Sequence, residues 1–170
     1  MRAQIGEPTT LQGGEFRDKA RRGESWSKLP PAPIIDLVGL GPGLTPSGDD
    51  FLVGAVAMLD ALDERPAHTA LARAIEAIPH GLTSPLSESL LKTAASGHVG
   101  EHLSCAVSAV ISGAPAKAIA AVREIGHGSG WDMLTGILVA LRAVVARDAS
   151  GRRLRKVSRT VRMTSSGGVL

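Results

Sequence analysis

Asp49 and Asp50 are the residues of this chain best placed to do chemistry. They lie in the stretch GLGPGLTPSGDDFLVG, residues 39–54, where four glycines and two prolines precede the pair and an apolar run follows. A glycine loop before a helix start offers free N–H groups and the positive end of the helix dipole, which suits a phosphate or a carboxylate. Two carboxylates at the same place would repel a bare anion. A Mg²⁺ ion held by Asp49 and Asp50 would reconcile the two, bridging carboxylate and phosphate. Alternatively, Asp49 orients an N–H donor of the substrate. The expected cradle is Gly41, Gly43, Leu44, Thr45, Ser47 and Gly48. Neither of two familiar phosphate motifs fits. Leu44 stands where a dinucleotide fingerprint needs its third glycine, and no lysine follows the last glycine as in a P-loop.

The pattern recurs. SGDDFLVG at 47–54 and SGWDMLTG at 129–136 share Ser, Gly, Asp, Leu and Gly in register, 82 residues apart, and apolar helical sequence follows both. Two related helix starts facing each other across a pseudo-two-fold axis would explain this. Ser47 and Ser129 then read as N-caps, with Asp50 and Asp132 reaching back as in a capping box. Capping does not account for Asp49, because Trp131 is its counterpart. On this reasoning Asp49 is functional and Asp132 structural, and Gly54 and Gly136 let the two helices touch closely. Ser129 and Gly130 join the expected substrate-binding set. His127, just before the second start, is a candidate general acid or base. His98 and His102, with Glu101 between them, have helical spacing for a metal pair but show no third ligand.

The elements that must position these residues read as helices. Gly48 to about Leu62 forms the first. Pro66 stands near the start of the next, where Leu71, Ile75 and Ile78 keep helical spacing. Ser84 caps a third that opens with Pro85 and ends at Gly97. EHLSCAVSAVISG and PAKAIAAVREI follow, and a last helix runs from about Gly130 to Ala146. IIDLV at 34–38 is either a short strand or a helical turn, and periodicity does not decide between them. The fold class is all-α: one helical domain at 34–148 with two glycine-loop and buried-helix units. An irregular segment at 1–33, including the extended connector LPPAP, precedes it, and a basic flexible tail at 149–170 follows.

Composition sets the outer bounds. At 170 residues with 44% hydrophobic and 2% aromatic residues, the core must be built from Ala, Leu, Val and Ile. The charge-free apolar runs near 51–59 and 133–141 are shorter than a bilayer span, which suggests a cytoplasmic protein with no membrane role. Cys105, with no possible internal partner, reads as a buried thiol. The pI of 9.5 comes from the tail. Removing the six cations of 151–170 from the net charge of +3 leaves −3 for the rest. The tail has no aromatic residue for base stacking, which argues against nucleic acid as a partner.

GLGPGLTPSGDDFLVG, then TSPLSESLLKTAASGH, then GHGSGWDMLTGIL closely resemble, in that order, the AllH-like family over roughly residues 36–146. The resemblance implies a carbamoyltransferase subunit working with FdrA-like and AllG-like subunits in allantoin breakdown. The reaction it implies moves a carbamoyl group between oxamate and phosphate, through oxalurate and carbamoyl phosphate. A non-catalytic subunit that holds an anionic metabolite, or serves assembly, is the other reading. Residues 1–35 do not resemble what such a family has there.

Overall fold

The computed structural model describes residues 32–149, and every regular element within them is a helix. A single turn, α1 (Ala32–Ile35), leads through further turns to the glycine loop. The IIDLV stretch is thus a helical turn and not a strand. Leu37 and Val38 donate their N–H groups to the carbonyls of Ile34 and Ile35, so the backbone closes locally without a partner strand.

Six longer helices follow: α2 (Ser47–Ala61), α3 (Arg65–Glu76), α4 (Pro85–Ala95), α5 (Glu101–Ile111), α6 (Pro115–Arg123) and α7 (Ser129–Ala149). α2 is central. From Leu52 to Leu59 every residue is buried, as expected of a helix that is apolar all round. The outer helices bury one stripe each. In α3 the stripe is Ala67, Leu71 and Ile75, and in α7 it is Met133, Ile137, Ala140 and Val144. Their terminal signals work as expected. Ser84 accepts the Ser87 N–H at 3.0 Å, and Pro85 needs no donor partner at the first position. Gly97, at φ +86°, takes the left-handed conformation that ends α4.

The largest interface joins α2 to α7, and glycine makes it possible. A Cβ on Gly54 would lie 2.0 Å from the Met133 carbonyl oxygen, and one on Gly136 would lie 2.0 Å from that of Phe51. The contact is reciprocal, each helix seating its glycine on the other's backbone. Near its C-terminal end α7 is also tied by Arg147 to Glu64, the residue just before α3. By length and a mean hydropathy of 1.4, Ser129–Asp148 alone would be long and apolar enough to cross a membrane. Charge-free runs understated this length, because the helix continues through Arg142. In the fold this helix is the partner of α2.

Two further expectations are corrected. Cys105 is exposed. On α5 the inward stripe is Leu103, Ala106 and Val107, and Cys105 falls on the outer side with Ser104 and Ser108. Ser47 is not an N-cap. It is the first helical residue of α2, and Pro46 holds the cap position with no side-chain cap hydrogen bond. The expected irregular segment at 1–33 and basic tail at 149–170 lie outside the described residues except for Ala32 and Pro33, which belong to α1, and Ala149, which ends α7.

Candidate functional site

The glycine loop 39–46 is folded against the start of α4. Gly39, at φ +73°, lies so close to the Leu82 carbonyl that a Cβ would come within 2.4 Å of its oxygen. Ser84 donates its hydroxyl to the Leu44 carbonyl, tying the cap of α4 to the loop. Gly48 and Gly130, at the starts of α2 and α7, are buried against the carbonyls of Leu37 and Val122. Both helix starts are therefore held by backbone contact on the preceding segment.

Asp49 and Asp50 point into different environments. Asp49 is fully buried. Its Oδ1 accepts the Gly39 N–H at 2.8 Å, and its Oδ2 accepts the Ser87 hydroxyl at 2.7 Å and the Thr83 hydroxyl. This carboxylate holds the loop, the 79–84 connection and α4 to the start of α2. The idea that Asp49 lacks a structural role is thereby overturned. Capping was the wrong comparison, because the donors come from residues ten to 38 positions away.

Asp50 is 1% exposed, and its Oδ2 has no hydrogen-bond partner. Burial raises its pKa above the ordinary carboxylate value. Hydrogen bonds from Ser129 and Thr45 oppose the shift, while the nearby Asp132 and Asp49 charges add to it. The Thr45 and Ser129 hydroxyls are 3.0 Å apart. Ser129 thus turns towards Thr45 and Asp50, and no capping box explains Asp50.

These three residues line one cavity of about 450 Å³ between α2, α4, α5 and α7. Its walls are mostly apolar, with Val53, Ala94, Leu103, Ile125 and Met133 among them, and Thr93, His98, Glu101 and His102 add polar groups. No Lys or Arg is among its lining residues. Of the expected site residues, the structure brings Thr45, Asp50 and Ser129 together there. Gly41, Gly43, Leu44 and Ser47 are exposed on the loop and at the helix start, and Gly48 and Gly130 are buried packing positions. His127 is exposed and is not among the lining residues. His98 and His102 meet at the cavity, but among the described residues no three His, Cys, Asp or Glu side chains form a metal-binding group. The contribution of α4 was missed: Leu90, Thr93 and Ala94 line the cavity although their segment signalled only capping.

An all-α domain with a buried carboxylate, one oxygen of which lacks a partner, in a mostly apolar cavity is the class that fold and site define. Residues 37–141 match the family described as oxamate carbamoyltransferase subunit AllH, and the chain belongs to that family. No curated protein and no solved structure matches the chain.

Proposed function

We propose that the chain is the subunit of an oxamate carbamoyltransferase that holds the carbamoyl group, with Asp50 as its anchor. One observation carries this reading: the buried Asp50 Oδ2 has no protein donor. A buried acceptor without a donor costs about 1–3 kcal/mol, more when charged, and a carbamoyl N–H would remove that cost. Thr45 and Ser129, which bond each other and Asp50, hold its carboxyl in place for that N–H. With oxalurate and phosphate as substrates, the bond from the carbamoyl carbon to the oxamate nitrogen breaks. A bond from that carbon to a phosphate oxygen forms, and the freed nitrogen takes a proton. The products are oxamate and carbamoyl phosphate. The glycine loop, with Gly41, Gly43 and Leu44 exposed beside Thr45, is the face at which the anionic end would approach. FdrA-like and AllG-like subunits are the proposed partners, in the cytoplasm and in allantoin breakdown. A Mg²⁺ shared by Asp49 and Asp50 does not fit the donor set, since Gly39, Thr83 and Ser87 already engage both Asp49 oxygens.

A second reading is favoured by the absence of Lys and Arg from the cavity lining: the subunit binds the metabolite, and its partners perform the transfer. One assay separates the two. The full chain is incubated with oxalurate and phosphate, alone and with co-expressed FdrA-like and AllG-like subunits, and carbamoyl phosphate is quantified. The first reading expects turnover in the complex and at least a tenfold loss with Asp50→Leu. Full turnover with that variant moves the chemistry to the partners. No turnover in any combination removes both readings.

A further inference from the structure

The cavity is far larger than oxamate, with its handful of heavy atoms, requires. Volumes of about 300–1,000 Å³ hold ligands of drug size, and this one is about 450 Å³. Oxamate also fits its walls poorly. With its anionic end at the exposed glycine loop, oxamate would leave the apolar lining at Val53, Ala94, Leu103 and Met133 without a partner. The polar groups at the inner wall have a definite pattern: one free acceptor, Asp50 Oδ2, beside two hydroxyls 3.0 Å apart. The hydroxyls bond each other and Asp50, so the open demand is for an N–H donor, which a primary amide or ureido group presents without carrying a charge. An ammonium group would also reach Asp50, but its charge would lose far more hydration among these walls than an uncharged amide does.

We infer that this cavity accepts primary amides and ureas carrying an uncharged aliphatic body of several carbons, with the amide N–H on Asp50, beside Thr45 and Ser129, and the body against Val53, Ala94, Leu103 and Met133. The inference rests on the reading of Asp50 as a carbamoyl anchor, and it extends that reading to a substrate class larger and less polar than oxamate. Burial supports it from another side. Each methylene removed from water contributes about 0.8 kcal/mol, close to a fourfold gain in affinity, so a body of a few carbons against these walls multiplies the affinity of the amide head.

Calorimetric titration of the full chain with hexanamide, acetamide, hexanoate and hexylamine tests this, with oxamate alongside. Hexanamide should bind at least tenfold tighter than acetamide and than hexanoate, and also tighter than hexylamine. Asp50→Leu should weaken hexanamide at least tenfold. Thr93→Trp, at an exposed lining position, should do the same without lowering the melting temperature of the free protein. Equal binding of acetamide and hexanamide, preference for hexylamine or hexanoate, or indifference to both variants would overturn the inference. Hexanamide binding with these features, in a protein whose complex turns over no oxalurate, would leave the inference standing and remove the carbamoyltransferase reading. Turnover of oxalurate without hexanamide binding would do the reverse.

Discussion

Two adjacent aspartates in the first turn of α2 have opposite surroundings, and their variants should behave oppositely. Asp49 accepts from Gly39, Thr83 and Ser87. Asp49→Ala would leave three buried or half-buried donors unpaired, at about 1–3 kcal/mol each. A loss of about 3 kcal/mol or more in chemical denaturation is expected, and a loss below about 1 kcal/mol would mean these bonds do not hold the loop. Asp50 has its pKa raised by burial. Between the ordinary carboxylate pKa and the raised one, folded protein holds a proton that the unfolded chain has released. The stability associated with Asp50 is therefore full below the ordinary value, falls as pH rises through the raised one, and levels off above it. Asp50→Asn should remove that slope and raise the melting temperature at neutral pH. Melting curves across the acidic to neutral range check this, and an unchanged pH profile would contradict the burial argument.

At the scale of the element, the α2–α7 crossing depends on two missing side chains. A Cβ on Gly136 would meet the Phe51 carbonyl oxygen at 2.0 Å and the Ala55 nitrogen at 2.9 Å. Both are backbone atoms, so no rotamer change relieves the clash. Gly54→Ala and Gly136→Ala should each cost on the order of 3 kcal/mol, at the upper end of ordinary overpacking. Gly113→Ala is the control. It sits at φ +71° with open space around its Cβ position, so only backbone strain of about 1–2 kcal/mol applies. If the three variants melt alike, close helix contact is not what the glycines at 54 and 136 provide. Ser84→Ala should cost about 1 kcal/mol as a lost cap, and it also frees the Leu44 carbonyl that its hydroxyl holds.

Taken as a whole, the molecule is built around α2, with α7 its main partner and α3, α4 and α5 also packed on it. α7 supplies Met133, Ile137, Ala140 and Val144 to the common core, and each such side chain contributes up to about 1.5–3 kcal/mol on burial. Ending the chain after Glu124 would expose the whole α7 face of α2. No cooperative melt should remain, since this loss rivals the entire stability of a domain this size. A cooperative transition in the truncated chain would show that α1–α6 form an independent unit. The same core explains the cavity: its walls are the backs of helices, so ligand binding should raise the melting temperature of the whole domain.

The sequence by itself determined the helices and their ends. Ser84, Pro85, Gly97 and Pro115 act through neighbours only a few residues away, and such local rules can be read without knowing the fold. It also determined that Gly54 and Gly136 mark a close helix contact, because a matched pair in apolar helices has few other uses. The direction in which a helix-start side chain points depends on what lies across from it. Asp49 stands out in the sequence because nothing local explains it, yet its partners Thr83 and Ser87 arrive from α4 and its N-terminal connection. Spacing gives Asp50 a capping role, yet Pro46 occupies the cap and Ser129 comes from α7. Cys105 had apolar neighbours in sequence, and the helix turned it outward. Tertiary structure alone decided which carboxylate is satisfied and which is left open, because hydrogen-bond partners and desolvation are set by elements far apart in the chain.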